Sequence, residues 1–96
     1  MLAKPLQGRK HTSLVNFKNK FIFLIGGSSV QDSKITLDSV HKYDIENNSW
    51  SATSTLNHVR AQHASCILNE FIYVFNGLDY RNFVSSIERL NGEEAI

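Results

Sequence analysis

Apolar residues along the 96-residue chain fall in short blocks separated by glycine, asparagine, aspartate and serine. The block Phe-Ile-Phe-Leu-Ile at 21–25 is unbroken, runs into paired glycines at Gly26 and Gly27, and is followed by a largely polar stretch. Five residues are too few for a buried helix, and a strand without alternation must be covered on both faces. Further short segments at 11–17, 39–44 and 49–53 are rich in β-branched and aromatic residues and predict strands.

The pattern then repeats. Phe21, Phe23 and Gly27 have counterparts in Phe71, Tyr73 and Gly77, each 50 residues on. His11 pairs with His63 at a spacing of 52, and Ser39-Val40 with Ser86-Ile87 at 47, so the spacing changes only where loops absorb insertions. Four strands per repeat follow. A lone four-stranded sheet cannot cover both of its faces, whereas sheets stacked radially as blades of a β-propeller can. The fold class is therefore all-β. Phe21, Phe23, Ile25, Tyr43, Trp50, Phe71, Tyr73, Phe75 and Ile87 are expected in the core.

Composition adds bounds. A chain of this length buries only roughly 60 to 65% of its unfolded surface. Its 42% hydrophobic and 20% charged residues, with a formal net charge of +1, are those of a globular domain and point to neither nucleic acid nor membrane. No apolar run approaches the ~20 residues that span a bilayer. The single cysteine, Cys66, sits in an apolar strand as an expected small buried hydrophobe, and the first ten residues lack a signal-peptide core, so a reducing, cytoplasmic setting is expected.

Gly26-Gly27, then Tyr43, Asp44, Asn48 and Trp50 in order, then Arg60 to His63 in the sequence Arg-Ala-Gln-His, resemble the kelch repeat, over roughly residues 9–91. The resemblance implies a partial kelch-type β-propeller: one complete four-stranded antiparallel blade at 11–56, and a second at 57–96 that lacks its outer strand. Residues 1–10 resemble the tail of a preceding blade or a linker. Asn76 replaces the first glycine of the second repeat, and asparagine tolerates left-handed backbone conformations; alternatively, Asn76-Gly77 closes a two-residue hairpin. Leu90 stands in the place of Tyr43, and the matching tryptophan would fall at position 97. The chain is thus expected to be a piece of a longer propeller, a truncated product, or a subunit that associates through exposed blade faces.

Kelch propellers mostly bind other proteins, and the resemblance places the loops at 28–37, 57–60 and 78–83 on the binding face. The candidates there are Gln31, Asp32, Lys34, His58, Arg60, Asp79, Tyr80 and Arg81. Arg60 has an alternative role as a link between blades, and Tyr80 and Arg81 as a merely solvated loop. Gly26, Gly27, Tyr43, Asp44, Trp50, His63 and Gly77 are expected to be structural. Partners implied by longer relatives are a ubiquitin-ligase substrate or a cytoskeletal protein, sometimes beside a BTB domain. The competing reading is a fragment of a kelch-fold enzyme, a copper-radical sugar oxidase or a sugar epimerase. His58 and His63 lack a cysteine or carboxylate at ligand spacing, and no nucleophile-base pair or phosphate loop is present. No metal, no cofactor and no catalytic residue are therefore expected. His41 is placed on a polar strand face, and Asn47-Asn48-Ser49, a glycosylation sequon, is read as the turn before Trp50.

Overall fold

The structure, a computed structural model, describes residues 8–91. Its regular elements are strands: β1 (Arg9–Lys10), β2 (Ser13–Phe17), β3 (Phe21–Ser29), β4 (Thr36–Asp44), β5 (Ser49–Thr55), β6 (Ala64–Leu68), β7 (Phe71–Phe75), β8 (Leu78–Asp79), β9 (Asn82–Phe83) and β10 (Ile87–Asn91). In the first blade β3 pairs with β2 and β1 on one edge and with β4 on the other, and β5 closes the outside. The second blade runs β6, β7, β10, all antiparallel, and among the described residues no outer strand pairs with β10. A short ribbon of β8 and β9 follows β7. The expected outer region beyond Asn91, and residues 1–7 of the expected tail, lie outside the described residues.

The strand expected at 21–25 is longer than its apolar block. It passes through both glycines to Ser29, with a register shift between Ile25 and Gly27 that marks a β-bulge. Gly26 and Gly27 hold φ of 58° and 107°, and Asn76 and Gly77 hold nearly the same values, 56° and 112°. Asparagine thus takes the left-handed position as expected, and the residues after it form the β8–β9 ribbon rather than a hairpin partner for β7.

The innermost strand, expected as one piece from 11 to 17, is broken at His11, whose φ is 55°. Its counterpart is Gln62, at 52°, so the pairing of His11 with His63 is one residue out. Thr12 is the true equivalent of His63. A Cβ on Gly27 would meet the Lys10 carbonyl and Thr12, and a Cβ on Gly77 would meet the Ala61 carbonyl and His63.

The core lies between the blades. Val15, Phe17, Phe23, Ile25 and Val40 of the first blade, with Leu56 of the connection, bury against Ile72 and Val74 of the second. Phe17 and Phe23 meet edge to face with centroids 6.0 Å apart. Buried Phe23, Ile25 and Tyr43 agree with expectation, but Phe21, Trp50, Phe71, Tyr73 and Phe75 are only partly covered and Ile87 is 61% exposed. The cause is the pleat. Ile72 and Val74 point at the first blade, so Phe71, Tyr73 and Phe75, with Arg89 and Ile87 opposite Tyr73 and Phe75, point away from it. Cys66 pairs with Tyr73 on that open face and is exposed, contrary to the expected buried cysteine.

Candidate functional site

The first of the candidate loops, 30–35, turns back on itself through the Asp32 carbonyl, which accepts from the Ile35 amide at 3.0 Å, while the Asp32 carboxylate accepts from the Lys34 amide at 3.0 Å. Gln31, Asp32 and Lys34 are all exposed. The second loop reaches it across the blade boundary, where the Tyr80 amide donates to Thr36 Oγ1 at 3.0 Å. Tyr80 adopts a φ of 55°, which turns its exposed ring beneath the Arg81 guanidinium, 5.1 Å from the ring centroid. Between the loops lies an open cleft of about 290 Å³, lined by Lys10, His11, Ser28, Ser33, Gln62 and Tyr80. Asp79 is half-buried beside it in β8.

Arg60 does not belong to this exposed set. It is fully buried, and its guanidinium donates to the Asn76 and Ser86 carbonyls at 3.1 and 2.8 Å, to Ser86 Oγ at 2.8 Å and to Glu88 Oε2 at 2.8 Å. It links the blade connection to the second sheet, the alternative role, and is withdrawn from the binding face. His58 remains exposed; its backbone amide donates to Glu88 Oε2 at 3.1 Å, and the Asn57 amide to Oε1 at 2.5 Å. One carboxylate thus holds both the buried arginine and the loop that carries His58.

The same arrangement is built a second time. Arg9 donates to the Gly26 and Ser39 carbonyls at 3.0 and 3.2 Å and to Ser39 Oγ at 2.8 Å, and lies 3.3 Å from His41 Nδ1. Arg9, Gly26, Ser39 and His41 correspond to Arg60, Asn76, Ser86 and Glu88. His41 is therefore buried under an arginine rather than set on a polar face, and burial, then the Arg9 charge, hold its pKa below the ordinary histidine value. His63, expected to be structural, sits 2.8 Å from Ser13 Oγ between the blades; burial lowers its pKa first, the Arg60 charge lowers it further, and the Ile25 carbonyl opposes both. Sequence reasoning gave Arg9 and Glu88 no role and noted Ser86 only as the repeat counterpart of Ser39. The 47-residue spacing of Ser39 and Ser86 was the available signal.

Around Gly26, a Cβ would come within 2.6 Å of the Arg60 carbonyl, and the Gly27 amide donates to that carbonyl at 2.8 Å. The glycines are thus the point where the connection between blades crosses the first sheet. Tyr43 packs on Trp50 at 5.2 Å and donates to Asn48 Oδ1, while the Asp44 carboxylate accepts from the Asn47 amide and side chain. The Asn47-Asn48-Ser49 segment is therefore the expected tight turn. The Kelch motif is matched by residues 9–57 of the chain. The chain belongs to the kelch-repeat family.

Among its kelch relatives are Kelch-like protein 22 of Rattus norvegicus, 31% identical over 73% of this chain, and that of Homo sapiens, 30% identical over the same share. Kelch-like protein 22 of Xenopus tropicalis is 26% identical over 92% of the chain. The matched stretch spans only 11%, 11% and 14% of those three relatives' own lengths. Among the described kelch residues, no three His, Cys, Asp or Glu gather as a metal site, and no helix is long and apolar enough to cross a membrane.

Proposed function

We propose that the chain is a protein-interaction module whose binding face is built by the loops at 30–35 and 78–83, with His58 at its margin. The observation that carries this reading is the joining of two otherwise separate loops by the Tyr80–Thr36 hydrogen bond, which presents Gln31, Asp32, Lys34, Tyr80 and Arg81 together on a rigid double blade. Tyrosine stacked with arginine supplies the residue types that dominate interface energetics. Asp79 supports the loop and contributes at its edge. In this reading the first kelch repeat is 11–56 and the second, incomplete, is 57–96, with 1–10 as the tail of a preceding blade or a linker, and the parent is a longer cytoplasmic propeller. Its partner is a protein, of the ubiquitin-ligase-substrate or cytoskeletal kind, and its role is not enzymatic.

The test is quantitative affinity capture with three charge reversals whose circular dichroism matches the wild type. Lys34→Glu and Arg81→Glu should each deplete the captured set several-fold. Lys20→Glu should leave it intact, since Lys20 lines a larger cleft at the other end of the blade with Phe17, Phe21 and Ile45. Loss with Lys20→Glu alone would move the binding face to that end, and equal capture by all four proteins would remove it from both.

A further inference from the structure

The two blades fill one equivalent position with opposite chemistry. On the first blade Lys10 stands opposite Ser28 across the β1–β3 pair, and on the second Ala61 stands opposite Leu78 at the same point of the repeat. The fold is thus satisfied by an apolar pair there, and neither the Lys10 ammonium nor the Ser28 hydroxyl is needed to build the junction. Both line the cleft of about 290 Å³ between the two loops, Ser28 at only 7% exposure.

The wall of the cleft is preformed and carries no carboxylate. The Gln62 amide donates to the His11 carbonyl at 2.9 Å and the Tyr80 amide to Thr36 Oγ1 at 3.0 Å, so two hydrogen bonds across the blade boundary fix its width. Both sides lie between residues 10 and 80, and no blade beyond these two is required to form them. One ammonium, one imidazole, three hydroxyls and one carboxamide line the space, from Lys10, His11, Ser28, Ser33, Tyr80 and Gln62. Among the described residues, none of these six side chains makes a hydrogen bond or ion pair within the protein. Asp32 and Asp79 of the adjoining loops are not in the wall, and Asp32 is turned to the Lys34 amide. A carboxylate presents two oxygens in one plane, whereas a phosphate monoester presents three on a tetrahedron with a charge of about −1.5 to −2. Donors on both sides of a cleft suit the second.

We propose that this cleft receives the phosphate of a phosphorylated serine or threonine on the partner protein, with Lys10 and His11 meeting its charge and the hydroxyls and Gln62 its remaining oxygens. The site rests on the reading of the loops at 30–35 and 78–83 as the protein-binding face, and it makes capture conditional on a protein kinase having phosphorylated the partner first. The chain itself supplies only recognition. Lys34 and Arg81, exposed on the same loops but outside the cleft, serve the peptide around the phosphorylated residue.

Amide-resolved NMR of the isotope-labelled 96-residue chain tests the cleft, with random-sequence peptide pools centred on phosphoserine, serine or glutamate, and inorganic phosphate, as the probes. The phosphoserine pool should shift the amides of His11, Ser28, Ser33 and Gln62 and bind roughly tenfold more tightly than the other three probes. Lys10→Gln should weaken it several-fold, and Gln62→Glu, which sets a carboxylate in the wall without changing its shape, should abolish it, both with unchanged circular dichroism. Equal binding of the glutamate pool would overturn the proposal in favour of a carboxylate, and equal binding of inorganic phosphate in favour of a free anion. No binding of any probe would overturn it outright. Capture from a lysate separates the cleft from the loop face: phosphatase treatment of the lysate should deplete the same partners that Lys34→Glu and Arg81→Glu deplete. Capture lost with those reversals but indifferent to phosphatase would overturn the phosphate site and leave the binding face standing. A phosphoserine pool that shifts the cleft amides while capture ignores both reversals would keep the phosphate site and remove the loops from it.

Discussion

The two equivalent arginines, Arg60 fully buried and Arg9 half-buried, differ in one partner, and that difference has a pH signature. Arg60 meets the carboxylate of Glu88, whereas Arg9 meets the imidazole of His41. A protonated His41 would set two cations 3.3 Å apart in a covered site, so the folded state holds that proton more weakly than the unfolded chain does. The stability tied to neutral His41 is thus fully present above its ordinary pKa of 6.5, and it is lost as the pH falls below that value and through the lowered folded one. His63, shifted in the same direction, adds to the loss. His41→Glu, which recreates the second blade's ion pair, should therefore flatten the fall in urea midpoint between pH 7 and pH 5; identical slopes for variant and wild type would show that His41 plays no part. Arg60 shows why such residues are hard to place from sequence. Its acceptors Asn76, Ser86 and Glu88 lie 16 to 28 residues away, and only the packed sheet reveals that both terminal nitrogens of a loop arginine are bonded inside the molecule.

At the scale of elements, the strand count, the antiparallel blades and the glycine-marked bulges were legible, because apolar blocks and left-handed backbone positions leave direct marks in sequence. The face each strand buries was less so. In Phe-Ile-Phe-Leu-Ile and Phe-Ile-Tyr-Val-Phe the large aromatic residues fall on the same pleat phase, yet the first set of odd positions faces the other blade and the second faces away, since a neighbour stands on different sides of the two sheets. Periodicity specifies two faces and leaves open which one is covered. The His11–His63 misalignment arose similarly, from a kink at His11 and Gln62 that no residue type announces. The bulge itself allows a sharp prediction. Gly27 holds a φ of 107°, and a Cβ there would lie 2.7 Å from the Lys10 carbonyl, so Gly27→Val combines backbone strain with a clash against main chain. It should lower unfolding free energy by on the order of 3 kcal/mol in chemical denaturation. A loss below about 1 kcal/mol would mean that the bulge can relax without its glycine.

The whole molecule is a slab of 37 × 31 × 15 Å, two stacked sheets with a single core layer between them. Of its four sheet faces, two are consumed in that layer, and the other two lie outside it. That one face of each sheet would lie outside the shared layer was readable from the two-repeat count; which residues line it was not, because that follows from the cross-strand registers. That layer makes the two blades one folding unit, because Ile72 and Val74 of the second blade are buried in one cluster with Phe17, Phe23 and Ile25 of the first. Ile72→Ala should therefore lower the unfolding free energy of the whole chain by about 2 to 5 kcal/mol in urea denaturation. Ile87→Glu, at a position 61% exposed and outside that cluster, should leave the midpoint nearly unchanged. Two separate transitions in the Ile72→Ala variant, or equal losses for the two variants, would show that the blades do not fold through a shared layer.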